Sequence, residues 1–341
     1  MSEQKDRITK YLSMLVEGML FDELSDAYLE NAGVADILKG VPVPVSVDES
    51  GDMTTLSIAR NMAIVVGSNI NYPYNEQYLK YIDVVTQGNS LRVMIGEGAA
   101  AADEGRLLEA CAFFRAGLRI DPRSRDALYL YGRACKEAYE AVGADAEGVI
   151  DAASEEYIGN FKAESMETFE ILTMLHPEFG MGYYFLGYAY LNMGLYTKAK
   201  LTWEKYMELS AEADETMPAE AEAERDELRT TIQGLLDELD EPVVIEQGIN
   251  QIAAGDYQGG RETLLPYSEG RYEQWWPLWY YLAFAEEGLG NTEAAIDDLK
   301  KALLLSPSNT EVMEELVSLY EATGDDTSAE KYRRKIEIIN G

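Results

Sequence analysis

Three kinds of residue could open a reaction in this chain: one histidine, two cysteines and a large number of carboxylates. His176 is the single histidine and stands immediately before Pro177. A nucleophile activated by imidazole needs a base that is itself oriented by a third group, and no second histidine offers an alternative. We read His176 as the end of a helix, where a partial positive charge is favourable beside the last carbonyls. Cys111 and Cys135 fall within helical stretches and read as buried structural thiols. Metal chemistry would need grouped ligands, and no CxxC, HExxH or complete EF-hand loop occurs. The run DESGD, Asp48 to Asp52, alternates oxygen ligands but lacks the downstream Glu, so it reads as a solvated loop. The string GEGAAAADEG from Gly96 partly matches a dinucleotide fingerprint, yet its glycines have another explanation below. Carboxylate pairs are everywhere and so say nothing about glycosidase chemistry. The expectation is a chain with no catalytic residue, no metal site and no cofactor.

The charge balance narrows the partners. Against 62 Asp plus Glu stand 28 Lys plus Arg, a formal charge of -34 over 341 residues. Phosphate backbones are held by Lys and Arg with release of counterions, so nucleic acid is excluded as a partner class. The segment FDELSDAYLENAGV has a turn-like Gly but is acidic where a recognition helix must approach phosphates. An anionic membrane surface would repel the chain as well. Two cysteines make no disulfide framework in a chain of this length, which points to a reducing compartment. In MSEQKDRITKYLSMLVEGML, Glu17 interrupts an apolar stretch too short to span a bilayer. No signal peptide or membrane helix is expected there, and the cytoplasm is the default location.

The elements that must carry any function come from an internal period. Gly105, Gly194, Gly255, Gly290 and Gly324 are followed five residues later by Ala110, Ala199, Gly260, Ala295 and Ala329. Seven residues before each glycine stands Gly98, Gly187, Gly248, Ala283 or Val317. A glycine between two helices accepts the left-handed conformation that ends the first, and small residues in mid-helix let the pair pack closely. Large residues then fill the seam, as Tyr183, Leu186, Tyr190, Tyr196, Trp203 and Tyr206 do over 180–213. Pro122, Pro177 and Pro307 close second helices.

The segments YYFLGYAYLNMGLYTKAKLTWEKY and WYYLAFAEEGLGNTEAAIDDLKKALLLSPSN resemble tetratricopeptide repeats. This places units at 91–124, 125–179, 180–213, 241–275, 276–309 and 310–341. The fold class expected is all-α, a TPR-like right-handed superhelix of antiparallel helix pairs. Insertions near 143–160 and 214–240 interrupt it, the second with Leu228, Ile232, Leu235, Leu236 and Leu239 at helical spacing. The unit at 241–275 is degenerate, with Gln247 and Gln251 where apolar bulk is usual. Residues 1–90 read as an N-terminal helical cap or degenerate repeats. Within it, helices are expected over Ile8 to Met19, Phe21 to Asn31, Thr54 to Ser68 and Glu76 to Val85, while VPVPV at 41–45 must be extended.

The resemblance also implies where a partner would sit. In this family the first helix of each unit lines the concave surface. Carried over position by position, that face comprises Asp126, Tyr129, Arg133 and Lys136, then Met181, Tyr184, Tyr188, Leu191 and Asn192, then Ile245, Ile249 and Ile252, then Tyr280 and Phe284. Family members that grip acidic tails do so with Lys, Asn and Arg at these places, whereas here they are mostly Tyr, Ile and Phe. The expected function is a non-catalytic protein-interaction scaffold that binds an apolar or amphipathic peptide or protein segment, with charge steering a basic partner. Two other readings remain open at this point. One is a self-assembling or regulatory subunit that uses the inserted helices, with a homo-oligomer as its consequence; the other is an enzyme with a catalytic N-terminal region.

Overall fold

A computed structural model describes residues 6–46, 54–145, 151–211 and 218–340, and the run Asp48 to Asp52 lies outside them. The chain divides into two compact units, Met1–Glu222 and Ala223–Gly341. In the first, the elements are α1 (Thr9–Leu12), β1 (Met19–Glu23), α2 (Asp26–Asn31), α3 (Ala35–Leu38), β2 (Pro42–Ser46), α4 (Thr55–Ser68) and α5 (Asn75–Val85). They are followed by α6 (Ser90–Asp103), α7 (Leu107–Ile120), α8 (Arg125–Asp145), α9 (Ala152–Leu175), α10 (Gly180–Asn192) and α11 (Tyr196–Leu209). Helix α12 (Ala219–Glu238) runs into the second unit, which continues with α13 (Asp240–Ala253), α14 (Tyr257–Leu264), α15 (Trp276–Gly288), α16 (Thr292–Leu305), α17 (Thr310–Thr323) and α18 (Asp326–Asn340). From α6 to α11, and again from α13 to α18, successive helices pack in pairs.

Five of the pairs are closed by the same turn. Gly194 takes φ 70°, its N–H donates to Leu191 O at 2.9 Å and the N–H of Leu195 donates to Tyr190 O at 2.9 Å. These two bonds satisfy carbonyls that the end of α10 would otherwise leave open. The same pair of bonds recurs at Gly105, Gly255, Gly290 and Gly324. Side-chain caps open several helices: Asp151 accepts from Ser154 N at 2.7 Å, Asn309 from Val312 N at 3.1 Å, and Thr54 and Ser57 form a reciprocal capping box.

The mid-helix glycines are occupied by the partner helix. A Cβ on Gly187 would lie 2.1 Å from Trp203 Nε1, one on Gly98 2.5 Å from the Phe114 ring, and one on Gly248 2.7 Å from Leu264. In the lengthened pair of α8 and α9, Gly132 stands in the same relation to Phe169, at 2.7 Å. All four large partners are buried. Helices α8 and α9 are 21 and 24 residues long, and α12, of 20 residues, stands between α11 and α13. Along α12, Ile232, Leu236 and Leu239 are buried and Leu228 and Leu235 half-buried, so most of its apolar stripe is already covered within the chain.

The N-terminal region departs from the expected helices. Residues Phe21 to Asn31 do not form one helix; β1 pairs antiparallel with β2, and α2 begins only at Asp26, capped by Ser25. The extended run at 41–45 needs lateral hydrogen bonds, and β1 provides them at the expense of its own helical tendency. The first helix likewise stops at Leu12, with a tight turn over Ser13–Leu15, because the chain must bend into β1. Its apolar face is still used: Ile8 and Leu12 are buried, with Leu15, Val16 and Met19 packed on the same core. Helix α4 lies so close to α7 that a Cβ on Gly67 would meet the Ala112 carbonyl oxygen. The segment around α1 is tied down by Asp6 to Arg115, by Arg7 to Glu167 at 2.7 Å and by Lys10 to Glu156 at 2.5 Å.

Cys111 on α7 and Cys135 on α8 are free and buried, with sulfurs 3.9 Å apart. Burial pushes the Cys135 thiol well above its ordinary range. In the second unit, Glu286 is buried and pairs with Arg261, and it accepts from Asn291 Nδ2 at 2.7 Å. Burial opposes its ionisation, but Arg261 and Asn291 prevail and hold the carboxyl below the usual range.

Three outcomes follow from this packing. Gly187→Ala should lower unfolding stability by about 1–3 kcal/mol through overpacking against Trp203, whereas Gly234→Ala, which meets nothing within 4 Å, should gain up to about 1 kcal/mol; urea titrations of both variants check this. Both thiols should resist iodoacetamide in the native chain and react fully in denaturant, as counted by mass spectrometry. Because the Glu286 pKa is depressed on folding, its stabilisation is complete above the ordinary Glu value of about 4.3 and is lost as pH falls through the folded value. The stability gap between the native chain and Glu286→Gln should therefore be widest near neutrality and close under acid, in melts recorded from pH 7 to pH 3.

Candidate protein-binding face

The first helices of the second and third pairs, α8 and α10, bring the tyrosines together. Tyr129 on α8 meets Phe179 edge-on at 5.3 Å and Phe185 at 5.7 Å. Phe185 meets Tyr184 at 5.1 Å, and Tyr184 meets Tyr188 at 5.1 Å. The result is an unbroken chain of ring contacts from the turn before α10 along two turns of that helix. All five residues are half-buried, as are Met181 and Leu191, while Asn192 is exposed and donates to Tyr139 Oη at 3.2 Å.

The two flanks of the row are held differently. Phe185 stacks on Phe169 of α9 at 5.5 Å, and the Arg133 guanidinium lies 5.7 Å from both the Tyr129 and Phe185 rings. Arg125 covers Phe179 at 5.1 Å. Tyr184 and Tyr188 instead lean on the second helix of their own pair, against Tyr206 at 5.4 Å and Trp203 at 4.9 Å. The Trp203 indole N–H donates to the Tyr184 carbonyl at 3.1 Å. Burial and the neighbouring Tyr184 push the Tyr188 phenol well above its ordinary range, so it stays neutral at physiological pH.

Charge on this face is largely spent internally. Arg133 pairs with Glu137 at 3.1 Å, Lys136 with Glu140 at 2.6 Å and Arg125 with Asp126 at 2.9 Å. Arg133 and Lys136, both placed on this face by the repeat positions, thus belong to neutralised pairs. Phe179, Phe185 and Arg125 are participants that the repeat positions did not single out. Phe185 could have been found as the ridge of α10 one residue beyond Tyr184, the side that faces α8.

In the second unit the inferred residues divide. Ile245, Ile252 and Tyr280 are buried in helix packing and offer a partner little surface, while Ile249 and Phe284 are half-buried. Tyr280 packs edge-on to Phe284 at 4.8 Å and donates to Glu311 at 3.0 Å. Trp276 begins α15, with Pro277 in its first turn, and stands 5.8 Å from Tyr280 as a packing group.

The residues weighed for chemistry have structural partners. His176 ends α9 and its Nε2 is 2.8 Å from Arg123 O, linking that helix to the turn before α8. Among the described residues no group of three or more His, Cys, Asp or Glu is placed to hold a metal ion, and no helix is long and apolar enough to cross a membrane.

Two stretches, 182–212 and 277–309, match the family model for the tetratricopeptide repeat. They take in most of α10 with α11, and most of α15 with α16. No curated protein matches the chain. Solved structures similar to it include MamA from Desulfovibrio magneticus RS-1, at 14% identity over 73% of this chain and 94% of that one, with a TM-score of 0.27. The TPR domain of P58(IPK) matches at 19% identity over 73% of this chain and 60% of that one, with a TM-score of 0.37. The Cut9–Hcn1 hetero-tetramer structure matches at 15% identity over 83% and 60%, with a TM-score of 0.32. Two segments of the chain, each a helix pair closed by a glycine turn, are thus similar to the tetratricopeptide repeat.

Proposed function

We propose that the chain is a non-catalytic scaffold that holds an apolar or amphipathic segment of a partner protein against the aromatic faces of its first helices. The observation that carries this reading is the connected row Phe179, Tyr129, Phe185, Tyr184 and Tyr188, half-open to solvent and braced from behind by Phe169, Trp203 and Tyr206. Rings held in this way present large contact area while losing little entropy on binding. Since the nearby cations are already paired, recognition rests on aromatic contact, with the ion pairs as a polar rim. The remaining acidity acts at a distance: a charge of -34 raises the encounter rate with a basic partner more than it tightens the complex. A cytoplasmic setting belongs to this reading and rests on the two free thiols.

The test places a photo-crosslinking benzoylphenylalanine at Tyr129 and, for comparison, at the exposed Leu201 on α11. In extracts of the source cells, position 129 should crosslink to one recurrent peptide segment of a partner while position 201 does not. Tyr184→Ala should reduce the yield at least several-fold with the fold intact by circular dichroism. Equal yields at the two positions would reject this face.

A further inference from the structure

In the second unit, a small hollow on α15, α16 and α17 is lined by Ala283, Phe284, Glu287, Leu299, Glu315 and Leu319. Its apolar and charged linings are segregated. Ala283, Leu299 and Leu319 are buried and make an apolar floor, whereas Phe284 and Glu315 are half-buried and Glu287 is exposed. Phe284 and Glu287 share a face of α15, and Glu315 and Leu319 share one of α17. The Phe284 ring is steadied edge-on by Tyr280 at 4.8 Å, and Tyr280 is itself fixed by donating to Glu311 at 3.0 Å, one turn before Glu315.

The charge on this hollow is uncompensated. Nearby cations are taken elsewhere, Arg261 by Glu286, Lys300 by Asp297 and Lys301 by Asp298, and among the described residues none pairs with Glu287, Glu311 or Glu315. Burial, with the neighbouring Glu287, Glu311 and Glu314 carboxylates, pushes the Glu315 carboxyl above its ordinary range. A hard metal ion does not suit the place, because it takes six or more oxygens while most of this lining is hydrocarbon. Among the described residues no three carboxylates are placed to share such an ion. An apolar floor, an aromatic ring and two carboxylates are matched together by a cation on a hydrocarbon stem.

We propose that this hollow receives a basic side chain, Lys or Arg, from a partner protein's segment lying along the first helices of the second unit. The stem of the incoming side chain covers the apolar floor, as such stems do wherever their charged heads stay near water. Its cation stands between Glu287 and Glu315, where charge-assisted hydrogen bonds replace the repulsion among the carboxylates and the Phe284 ring adds a cation–π contact. The site is opposite in sign to the Lys, Asn and Arg grip on acidic tails. It rests on the scaffold reading for the partner's being a protein, and it adds a place where the partner's charge is met by contact as well as at a distance.

The probes are n-butylammonium and n-butylguanidinium, the two basic side chains without a backbone, titrated at fixed ionic strength into the full chain carrying 4-fluorophenylalanine. The fluorine resonance of Phe284, assigned by its loss in Phe284→Leu, should shift saturably with both. Ethylammonium, equal in charge but short of stem, should need about fivefold more for half the effect. Glu287→Gln and Glu315→Gln should each raise the half-saturation point about threefold with the circular dichroism unchanged. Equal response to ethylammonium and butylammonium would reduce the effect to attraction by net charge and overturn the proposal, as would unaltered half-saturation in both variants. A larger shift with magnesium ion at the same concentration would overturn it in favour of a metal site. A resonance that moves with protein concentration alone, in step with a dimer in sedimentation, would overturn the assigned occupant in favour of a second copy. The crosslink at position 129 lies in the first unit, so failure of this site and failure of the scaffold reading are told apart.

Discussion

The structure turns on one steric relation: a glycine in the first helix of a pair makes room for a large buried side chain of the second. Gly98 with Phe114, Gly187 with Trp203 and Gly248 with Leu264 are each separated by sixteen residues. Close approach of two helices is what lets one ring fill the space between them without a void, and a cavity or a clash at that point is expensive. The turn glycines set where each pair folds back, and the buried rings set how closely it closes. Everything outward of that contact, including which face of α10 carries Tyr184 and Tyr188, follows from the rotation that the contact imposes on the helix.

The aromatic row is a consequence of the same geometry. Tyr188 rests on Trp203, and Trp203 fills the space at Gly187, so the outermost rings stand on the deepest one. The side chains of this row are positioned by the core. The ion pairs on α8 keep their charges within single turns.

Much of this was legible in the sequence, because the period writes each pair in the same code. Turn glycines, small mid-helix residues and large seam residues recur at fixed offsets, and the helices begin and end where those offsets place them. The face was less legible. Repeat position alone nominated Tyr280 and Ile245, which the second unit spends on packing, and passed over Phe179 and Phe185. Whether a half-apolar ring on a first helix turns outward depends on its neighbour's size, as with Tyr280 between Trp276 and Phe284. The N-terminal ribbon was illegible for another reason. Met19 to Glu23 carries a pattern compatible with a helix, and only the need of the distant prolines for a lateral partner makes it a strand.

The ties around α1 give the first unit a property that its helix pairs lack. Contacts in a repeat array are mostly between neighbours in sequence, so such a chain can begin to fold anywhere and lose structure piecemeal. The pair Arg7 to Glu167 spans 160 residues, and Asp6 to Arg115 spans 109. Closing loops of that size costs chain entropy before the contacts reward it. While they hold, these ties join the segment around α1 to α7 and α9. An array that would fray pair by pair is given a clasp at its beginning.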